Sequence, residues 1–146
     1  SKYLAYSYRN ALFIYSIMSL IRNSKQVKQA IDFSGIQNGK IHPSDIDAVL
    51  EFNNEVLILI EVKRIGNDIP TGQRLLLERI CDSWHTDKSI VLKVVHNFTD
   101  DDSDIPLRLC RVEQSYYKGV WIAKDSGLKE ALVLIGKTWN VNKLIF

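Results

Sequence analysis

The feature that most constrains the fold is an uninterrupted apolar run at the start of the segment Val56–Val62. A strand with one face in water alternates apolar and polar residues, whereas Val56-Leu57-Ile58-Leu59-Ile60 has no polar residue on either face. The run therefore predicts a central β-strand that is covered on both sides. A second run rich in branched apolar residues, Ile46–Phe52, precedes it, and Asn53-Asn54 separates the two. Asparagine tolerates the backbone of a tight turn, so the pair predicts a hairpin.

Periodic patterns along the rest of the chain predict the other elements. Apolar residues at three- or four-residue steps predict helices, and short branched runs predict strands. The predicted elements are a helix Tyr3–Arg22, a weak strand Val27–Phe33, a turn Gly35–Gly39, a helix Thr71–Trp84 capped by Asp68 or Thr71, strands Ser89–His96, Leu107–Val112 and Gly119–Ile122, a helix Ser126–Trp139 capped by Ser126, and a strand Val141–Phe146. A strand–helix–strand crossover around the middle helix implies a parallel pair. We expect an α/β protein with a mixed central sheet flanked by helices.

Size and composition predict one globular domain over residues 1–146. Apolar residues make up 46% and charged residues 25%, which excludes a disordered chain. The net charge of +2 neither requires nor excludes a nucleic-acid partner, because basic residues can concentrate on one face. Two cysteines are too few for a disulfide scaffold, so Cys81 and Cys110 are expected to be reduced thiols of a cytoplasmic protein. Arg9 and Asn10 interrupt the apolar N-terminal segment, which argues against a signal peptide or a membrane span.

Charged side chains interrupt the apolar strands at three positions, Asp47, Glu61 and Lys63. Residues two apart on a strand share a face, so Glu61 and Lys63 point the same way, and the predicted turn brings Asp47 level with Glu61. Two adjacent carboxylates repel each other, and a divalent cation removes that cost. Asp47, Glu61 and the backbone carbonyl of Val62 offer the oxygen ligands that Mg²⁺ or Mn²⁺ prefers. Lys63 then orients or deprotonates a metal-bound water, or stabilises the charge that grows on the phosphate. The simpler alternative is a surface salt bridge between Glu61 and Lys63.

With Pro43-Ser44-Asp45-Ile46-Asp47 upstream, Ile60-Glu61-Val62-Lys63 resembles the motif of the PD-(D/E)xK nuclease superfamily, which includes restriction endonucleases, Holliday-junction resolvases and VRR-type nucleases. The resemblance covers about residues 3–97 and implies a restriction-endonuclease-like α-β-β-β-α-β core. It implies hydrolysis of phosphodiester bonds in DNA, with a metal-activated water as nucleophile. An RNA endonuclease on the same fold and a non-catalytic nucleic-acid-binding or assembly module are the alternatives.

The ligand set stays open at two points. Asp47 is preferred as the aspartate because the apolar run Ala48-Val49-Leu50 follows it directly. Asp45 shares its strand face and is the alternative ligand, or the ligand of a second ion. The predicted first helix, Tyr3–Arg22, has no acidic residue, which argues against the additional helix glutamate that some relatives carry.

Four further residues are candidates for contacts with the nucleic acid. Gln73 opens the middle helix, where several related nucleases have a Gln that fixes the water or the substrate backbone, so the resemblance implies a catalytic role. Arg64 and Arg74 are candidates for binding phosphate, although a solvated face explains them equally well. His42 precedes the acidic stretch and is the weakest candidate, because a plain loop histidine explains it better. The small size suits both a stand-alone nuclease, in the host cytoplasm if it is phage-encoded, and a resolvase-like homodimer.

Overall fold

The computed structural model describes residues 31–40, 42–100 and 103–145. Backbone contacts divide the chain into two compact units, Ser1–Pro43 and Ser44–Phe146. The prediction of one domain over residues 1–146 stays a prediction.

The described part of the first unit forms turns. The predicted turn at Gly35–Gly39 is confirmed, and both of these glycines have positive φ angles, of 82° and 59°. The predicted helix Tyr3–Arg22 lies outside the described residues, as does most of the predicted strand Val27–Phe33. Residues 31–33, which the structure does describe, are not part of a strand.

The second unit is an α/β structure with one open sheet of five strands and two helices. Its elements are β1 (Ala48–Phe52), β2 (Val56–Arg64), α1 (Thr71–Ser83), β3 (Ser89–His96), a 3-10 turn (Leu107–Leu109), β4 (Arg111–Tyr117), β5 (Val120–Gly127) and α2 (Leu128–Thr138). The strands lie side by side in chain order. β2 and β3 are parallel, as the crossover through α1 requires, and the other neighbouring pairs are antiparallel. The predicted mixed sheet is confirmed.

Alternate residues of β2 pack into apolar clusters on opposite faces of the sheet. Leu59 packs with Leu77 of α1, whereas Ile58 and Ile60 pack with Leu132 of α2. Because the helices bring apolar side chains to both faces, β2 carries no polar residue until Glu61. The prediction of a strand covered on both sides is therefore confirmed.

The β1–β2 hairpin turns through Asn53 and Asn54, whose φ angles are 54° and 58°. The N–H of Glu55 closes the turn by donating to the carbonyl of Phe52 at 2.9 Å. Positive φ at both central residues is the geometry of a type I′ turn, whose twist matches that of the two strands. The predicted hairpin is confirmed, and its register determines which residues meet at the far end of β1 and β2.

Two other observations bear on the sequence predictions. Cys81 and Cys110 are free and buried, as expected for reduced thiols. No helix in the part of the chain that the structure describes has both the length and the apolar character needed to cross a membrane.

The predicted helix caps are wrong. Neither helix has a side-chain cap, so none of the three predicted caps forms, namely Asp68, Thr71 and Ser126. Ser126 lies in β5, where it pairs with Val112, and α2 begins at Leu128. Pairing with β4 extends the strand through residues whose local sequence favours a helix start.

The predicted strand Leu107–Val112 is also wrong in its first half. Leu107–Leu109 forms a 3-10 turn, and β4 begins at Arg111. Leu107 packs against the apolar cluster on the α2 side, whereas Leu109 is 53% exposed. The N–H of Cys110 donates to the carbonyl of Leu107 at 3.0 Å, so the turn satisfies its own backbone.

The predicted last strand, Val141–Phe146, does not form within the described residues 141–145. Asn140, with φ of 58°, ends α2, and the N–H of Val141 donates to the carbonyl of Gly136 at 2.7 Å. This is a Schellman motif. It folds the chain back so that Leu144 is 3% exposed, and a Cβ at Gly136 would lie 2.7 Å from the Cβ of Leu144.

Gly136→Ala should destabilise the protein by about 1–3 kcal/mol, because the added methyl group overlaps Leu144 and the backbone oxygen of Val141. Urea denaturation followed by circular dichroism measures the change. The matched control is Gly72→Ala, since an added Cβ at this α1 position has no atom within 4 Å. The control should be neutral or stabilising by up to about 1 kcal/mol. Equal effects of the two substitutions would contradict the proposed close packing at Gly136.

Candidate active site

The hairpin register brings Asp47 and Glu61 to adjacent positions. Ala48 pairs with Ile60, so the next step outward places Asp47 opposite Glu61. β1 begins at Ala48, and the side chain of Asp47, the residue before it, continues the hydrogen bonding to β2. Oδ2 of Asp47 accepts a hydrogen bond from the backbone N–H of Val62 at 2.7 Å. A backbone donor on β2 therefore orients the Asp47 carboxylate.

Glu61 carries its charge inside an otherwise apolar layer and is 1% exposed. Its Oε1 lies 2.8 Å from Nζ of Lys63, whose side chain is 22% exposed. Its Oε2 is buried and has no hydrogen-bond partner among the described residues. The pair is thus not the surface salt bridge of the simpler alternative. An unpartnered buried polar atom costs about 1–3 kcal/mol, and more when the group is charged, so Oε2 is an atom that an added ligand would stabilise.

The environment of Glu61 favours its protonated form. Burial raises the pKa of Glu61 above its ordinary value of 4.5, and the Asp47 carboxylate raises it further. The Lys63 ammonium lowers the pKa, but the net direction is upward. Asp47 acts through its negative charge, which disfavours a second charge on Glu61. Two carboxyl groups that are this close can also share one cation.

Gln73, in the first turn of α1, links the end of β2 to the segment before β1. Its Oε1 accepts a hydrogen bond from Nζ of Lys63 at 3.4 Å, and its Nε2 donates to the backbone carbonyl of Asp45 at 3.3 Å. The structure therefore brings together four of the residues that the sequence singled out: Asp47, Glu61, Lys63 and Gln73.

The backbone of Val62 faces the same place. The N–H and C=O of one strand residue point to the same side of the strand, so the carbonyl of Val62 lies on the side of β2 to which its N–H donates. β1 begins only at Ala48, so the β1–β2 pairing stops at the pair Ala48–Ile60. The carbonyl is thus directed beyond the end of the β1–β2 ladder.

The other candidates have different surroundings. Asp45 is exposed and contributes its backbone carbonyl to Gln73. Arg64 is exposed at the end of β2. The guanidinium of Arg74 lies 4.5 Å from the centre of the Trp121 ring, and its Nε lies 3.7 Å from Oε1 of Glu78. Arg74 is therefore held against α1 and β5.

His42 belongs to the first unit, so its placement relative to this cluster is not described. Its ring Nδ1 lies 3.0 Å from the carbonyl oxygen of Pro43, and the side chain is exposed. This contact suits the loop histidine that the sequence favoured.

Lys93 was not singled out from the sequence. It lies on β3 as the register partner of Glu61 and is 3% exposed. Its ammonium lies 2.5 Å from Oε2 of Glu113. The signal in the sequence is a single charge in the apolar run Ser89–His96, at a position that alternates with Val91 and Val95 on one face.

Comparisons with known protein families, curated proteins and solved structures found no match. Within the residues that the structure describes, no three His, Cys, Asp or Glu side chains are grouped so as to hold a metal ion. The cluster instead has two carboxylates, one ammonium group, and a backbone carbonyl on the side of β2 whose N–H binds Asp47. Its chemistry has to be inferred from these groups.

Glu61→Gln should alter how the stability of the metal-free protein depends on pH. The pKa of Glu61 is 4.5 in the unfolded state and is raised in the folded state. At pH values between these two pKa values, Glu61 is therefore protonated to a greater extent in the folded state than in the unfolded state. The stabilisation that protonated Glu61 contributes is therefore fully present below pH 4.5, and it is lost as the pH rises through the pKa of Glu61 in the folded state. Relative to wild type, the Gln variant should gain stability as the pH rises.

Urea denaturation in EDTA, from about pH 4.5 to neutral pH, measures this difference. Glu130→Gln, which changes an exposed glutamate on α2, is the control and should show no such trend. If the wild type instead gains stability relative to the Gln variant as the pH rises, burial does not control the pKa of Glu61.

Proposed function

We propose that the protein is a divalent-metal-dependent nuclease that hydrolyses phosphodiester bonds in DNA. The observation that carries the proposal is the buried Glu61 carboxylate, which has Asp47 and Lys63 beside it and one oxygen without a partner among the described residues. Such an arrangement is costly in a protein whose only role is structural, because a buried charge needs compensation. A cation and a phosphate together supply that compensation.

The donor set suits Mg²⁺ or Mn²⁺. Asp47 and Glu61 offer carboxylate oxygens, and Val62 offers a carbonyl oxygen directed to the same side. Such hard oxygen donors are those that these ions prefer, with waters completing the coordination. Oε2 of Glu61 is free to bind an ion while Oε1 keeps its contact with Lys63. Asp47 is favoured over Asp45 because its carboxylate binds the N–H of Val62, whereas Asp45 contacts Gln73 through its backbone carbonyl.

A bound divalent ion would supply Lewis acidity toward the phosphate and lower the pKa of a water molecule. Lys63 is the partly exposed cation of the cluster, so its ammonium group can approach the phosphate and stabilise the negative charge that grows there. Gln73 holds this ammonium from the α1 side. In the reaction, water oxygen bonds to phosphorus as the P–O3′ bond breaks, which leaves a 5′-phosphate and a 3′-hydroxyl.

The fold agrees in part with the PD-(D/E)xK superfamily. The order β1, β2, α1, β3 matches the β-β-α-β portion of the implied α-β-β-β-α-β core, with the aspartate beside β1 and Glu-x-Lys on β2. The helix and strand that would complete the core fall on Tyr3–Arg22 and Val27–Phe33, which the structure mostly leaves undescribed. Membership of this superfamily therefore belongs to the proposal.

The proposal includes DNA as the partner and the cytoplasm, or the host cytoplasm for a phage-encoded protein, as the location. A net charge of +2 does not discriminate DNA from RNA. Arg64 is the phosphate-binding candidate at the open end of β2, whereas Arg74 has Glu78 and Trp121 as its contacts. A homodimer stays an alternative to the monomer, and gel filtration with light scattering decides between them.

The wild-type protein should cut supercoiled plasmid in Mg²⁺ or Mn²⁺ and should be inactive in EDTA. Lys63→Ala should lower the rate by about 100-fold or more, because it removes the charge that stabilises the transition state. The matched control is Lys88→Ala, which removes a lysine paired with Glu55 at 3.3 Å. It should retain full activity.

Single-stranded DNA and RNA, assayed in parallel, identify the substrate class. Cleavage that persists in EDTA or in Lys63→Ala would overturn the mechanism. Metal-dependent binding of nucleic acid without cleavage would favour the non-catalytic binding module.

Metal binding is tested separately by thermal denaturation with and without Mn²⁺. An ion that binds only the folded state stabilises it by about 2.7 kcal/mol at about 100 times its dissociation constant. Wild type and Lys63→Ala should show this shift, whereas Asp47→Asn and Glu61→Gln should lose most of it. Asp45→Asn is the matched control for Asp47→Asn and should keep the shift. Loss in the Asp45 variant alone would identify Asp45 as the ligand.

A further inference from the structure

A second lysine lies on the strand next to Glu61. Lys93 of β3 is the parallel register partner of Glu61, and neighbouring strands lie about 4.8 Å apart. Partners in this register point to the same face, which here is the face that α1 covers. Lys93 therefore lies beside the candidate active site, although the proposed mechanism does not use it.

The ammonium group of Lys93 has two carboxylate neighbours of unlike character. The Lys93 side chain is 4% exposed, and its Nζ lies 2.5 Å from Oε2 of Glu113, which is 39% exposed. Nζ also lies 3.5 Å from Oδ1 of Asp68, whose side chain is 100% exposed. Asp68 belongs to the loop between β2 and α1, only five residues after Lys63. Nζ of Lys93 is therefore within reach of a carboxylate that is itself fully exposed to solvent.

A β-bulge places the closer carboxylate. The β3–β4 register shifts between Lys93 and Val94, where Lys93 pairs with Gln114 and Val94 pairs with Val112. Glu113 is the additional residue of the bulge. Bulges redirect a side chain and are frequent beside active sites. This irregularity turns Glu113 toward Lys93.

Stability alone does not explain a charge at this position. The neighbours of Lys93 on the same strand face, Val91 and Val95, are apolar and buried. Replacing a buried ion pair with well-packed apolar residues is often neutral or stabilising, because desolvation offsets the attraction between the charges. A branched apolar residue would suit this face of β3. The charge is therefore better explained by a ligand than by the fold.

We propose that Lys93 binds a phosphate of the nucleic-acid backbone beside the cleavage centre, and that Asp68 occupies this position until the phosphate replaces it. The inference rests on the proposed nuclease function and extends it to a second backbone phosphate. Glu113 stays with Lys93 during the exchange, because it is the closer and less exposed partner. Asp68 leaves, because it is the more distant and fully exposed one. Lys63 does not take the place of Lys93, because in the proposed mechanism it serves the phosphate that is cleaved.

The test measures binding of a short fluorescent DNA duplex by anisotropy in Mn²⁺, over a range of salt concentrations. All proteins carry Lys63→Ala so that the duplex is not cut. Lys93→Met should weaken binding by about tenfold or more, the loss expected for one charge-assisted contact. The slope of log K against log salt should fall by about 0.9, the value for one phosphate contact. Lys93→Met/Glu113→Gln, compared with Glu113→Gln, repeats the test without leaving an unpaired carboxylate.

Asp68→Asn gives the opposite and more diagnostic result. Removing the competitor should strengthen DNA binding when Lys93 is present and should have no such effect in the Lys93→Met protein. Asp87→Asn is the matched control, since Asp87 is another exposed aspartate paired with a lysine, Lys118, at 3.8 Å. Asp87→Asn should change DNA binding by the same factor whether residue 93 is Lys or Met.

The outcomes separate this inference from the nuclease proposal. Unchanged DNA affinity in both Lys93 variants overturns the inference while leaving the nuclease intact. Equal gains from Asp68→Asn in both backgrounds overturn the exchange, because they show a general charge effect. If the wild-type protein does not cut DNA but its binding of DNA depends on Lys93, the inference is supported and the nuclease proposal is overturned. A protein that binds no nucleic acid overturns both.

Discussion

Burial of the Glu61 carboxylate is the constraint on which the site depends. Glu61 is the first charged residue of the apolar strand β2, and its neighbours only partly offset the free energy of burying it. Lys63 pairs with one oxygen, Asp47 approaches from the adjacent strand, and the second oxygen stays unpartnered among the described residues. Burial and Asp47 outweigh Lys63, so the pKa of Glu61 is raised. The metal-free protein thus holds a charge that its own side chains only partly compensate.

The sheet topology places this charge at an edge where ligands commonly bind. β2 and β3 are parallel, so their carboxyl ends lie together, and the crossover brings the first turn of α1 to the same edge. Gln73 joins that turn to Lys63 and to the chain before β1. Hydrogen bonds therefore link the end of β2, the first turn of α1 and the segment before β1.

The same topology accounts for Lys93. A parallel register puts it beside Glu61, and the bulge in β4 gives it Glu113 as a partner. Two buried charged residues on neighbouring strands create a polar strip across the mainly apolar sheet face under α1. A polyanion beside a divalent cation is the kind of ligand that such a strip suits.

The sequence by itself determined the covered strand β2, the Asn53-Asn54 hairpin, the parallel pair and the grouping of Asp47 with Glu61 and Lys63. The strand, the hairpin and the grouping follow from strand periodicity and turn chemistry, which act between residues that are close along the chain. The parallel pair follows from the strand–helix–strand order. Only the tertiary structure decided the ends of α2 and β5, the 3-10 turn at Leu107–Leu109 and the partners of Lys93. Those depend on pairing and packing between distant segments, and such contacts can override a local preference of about 1 kcal/mol for a cap or a strand.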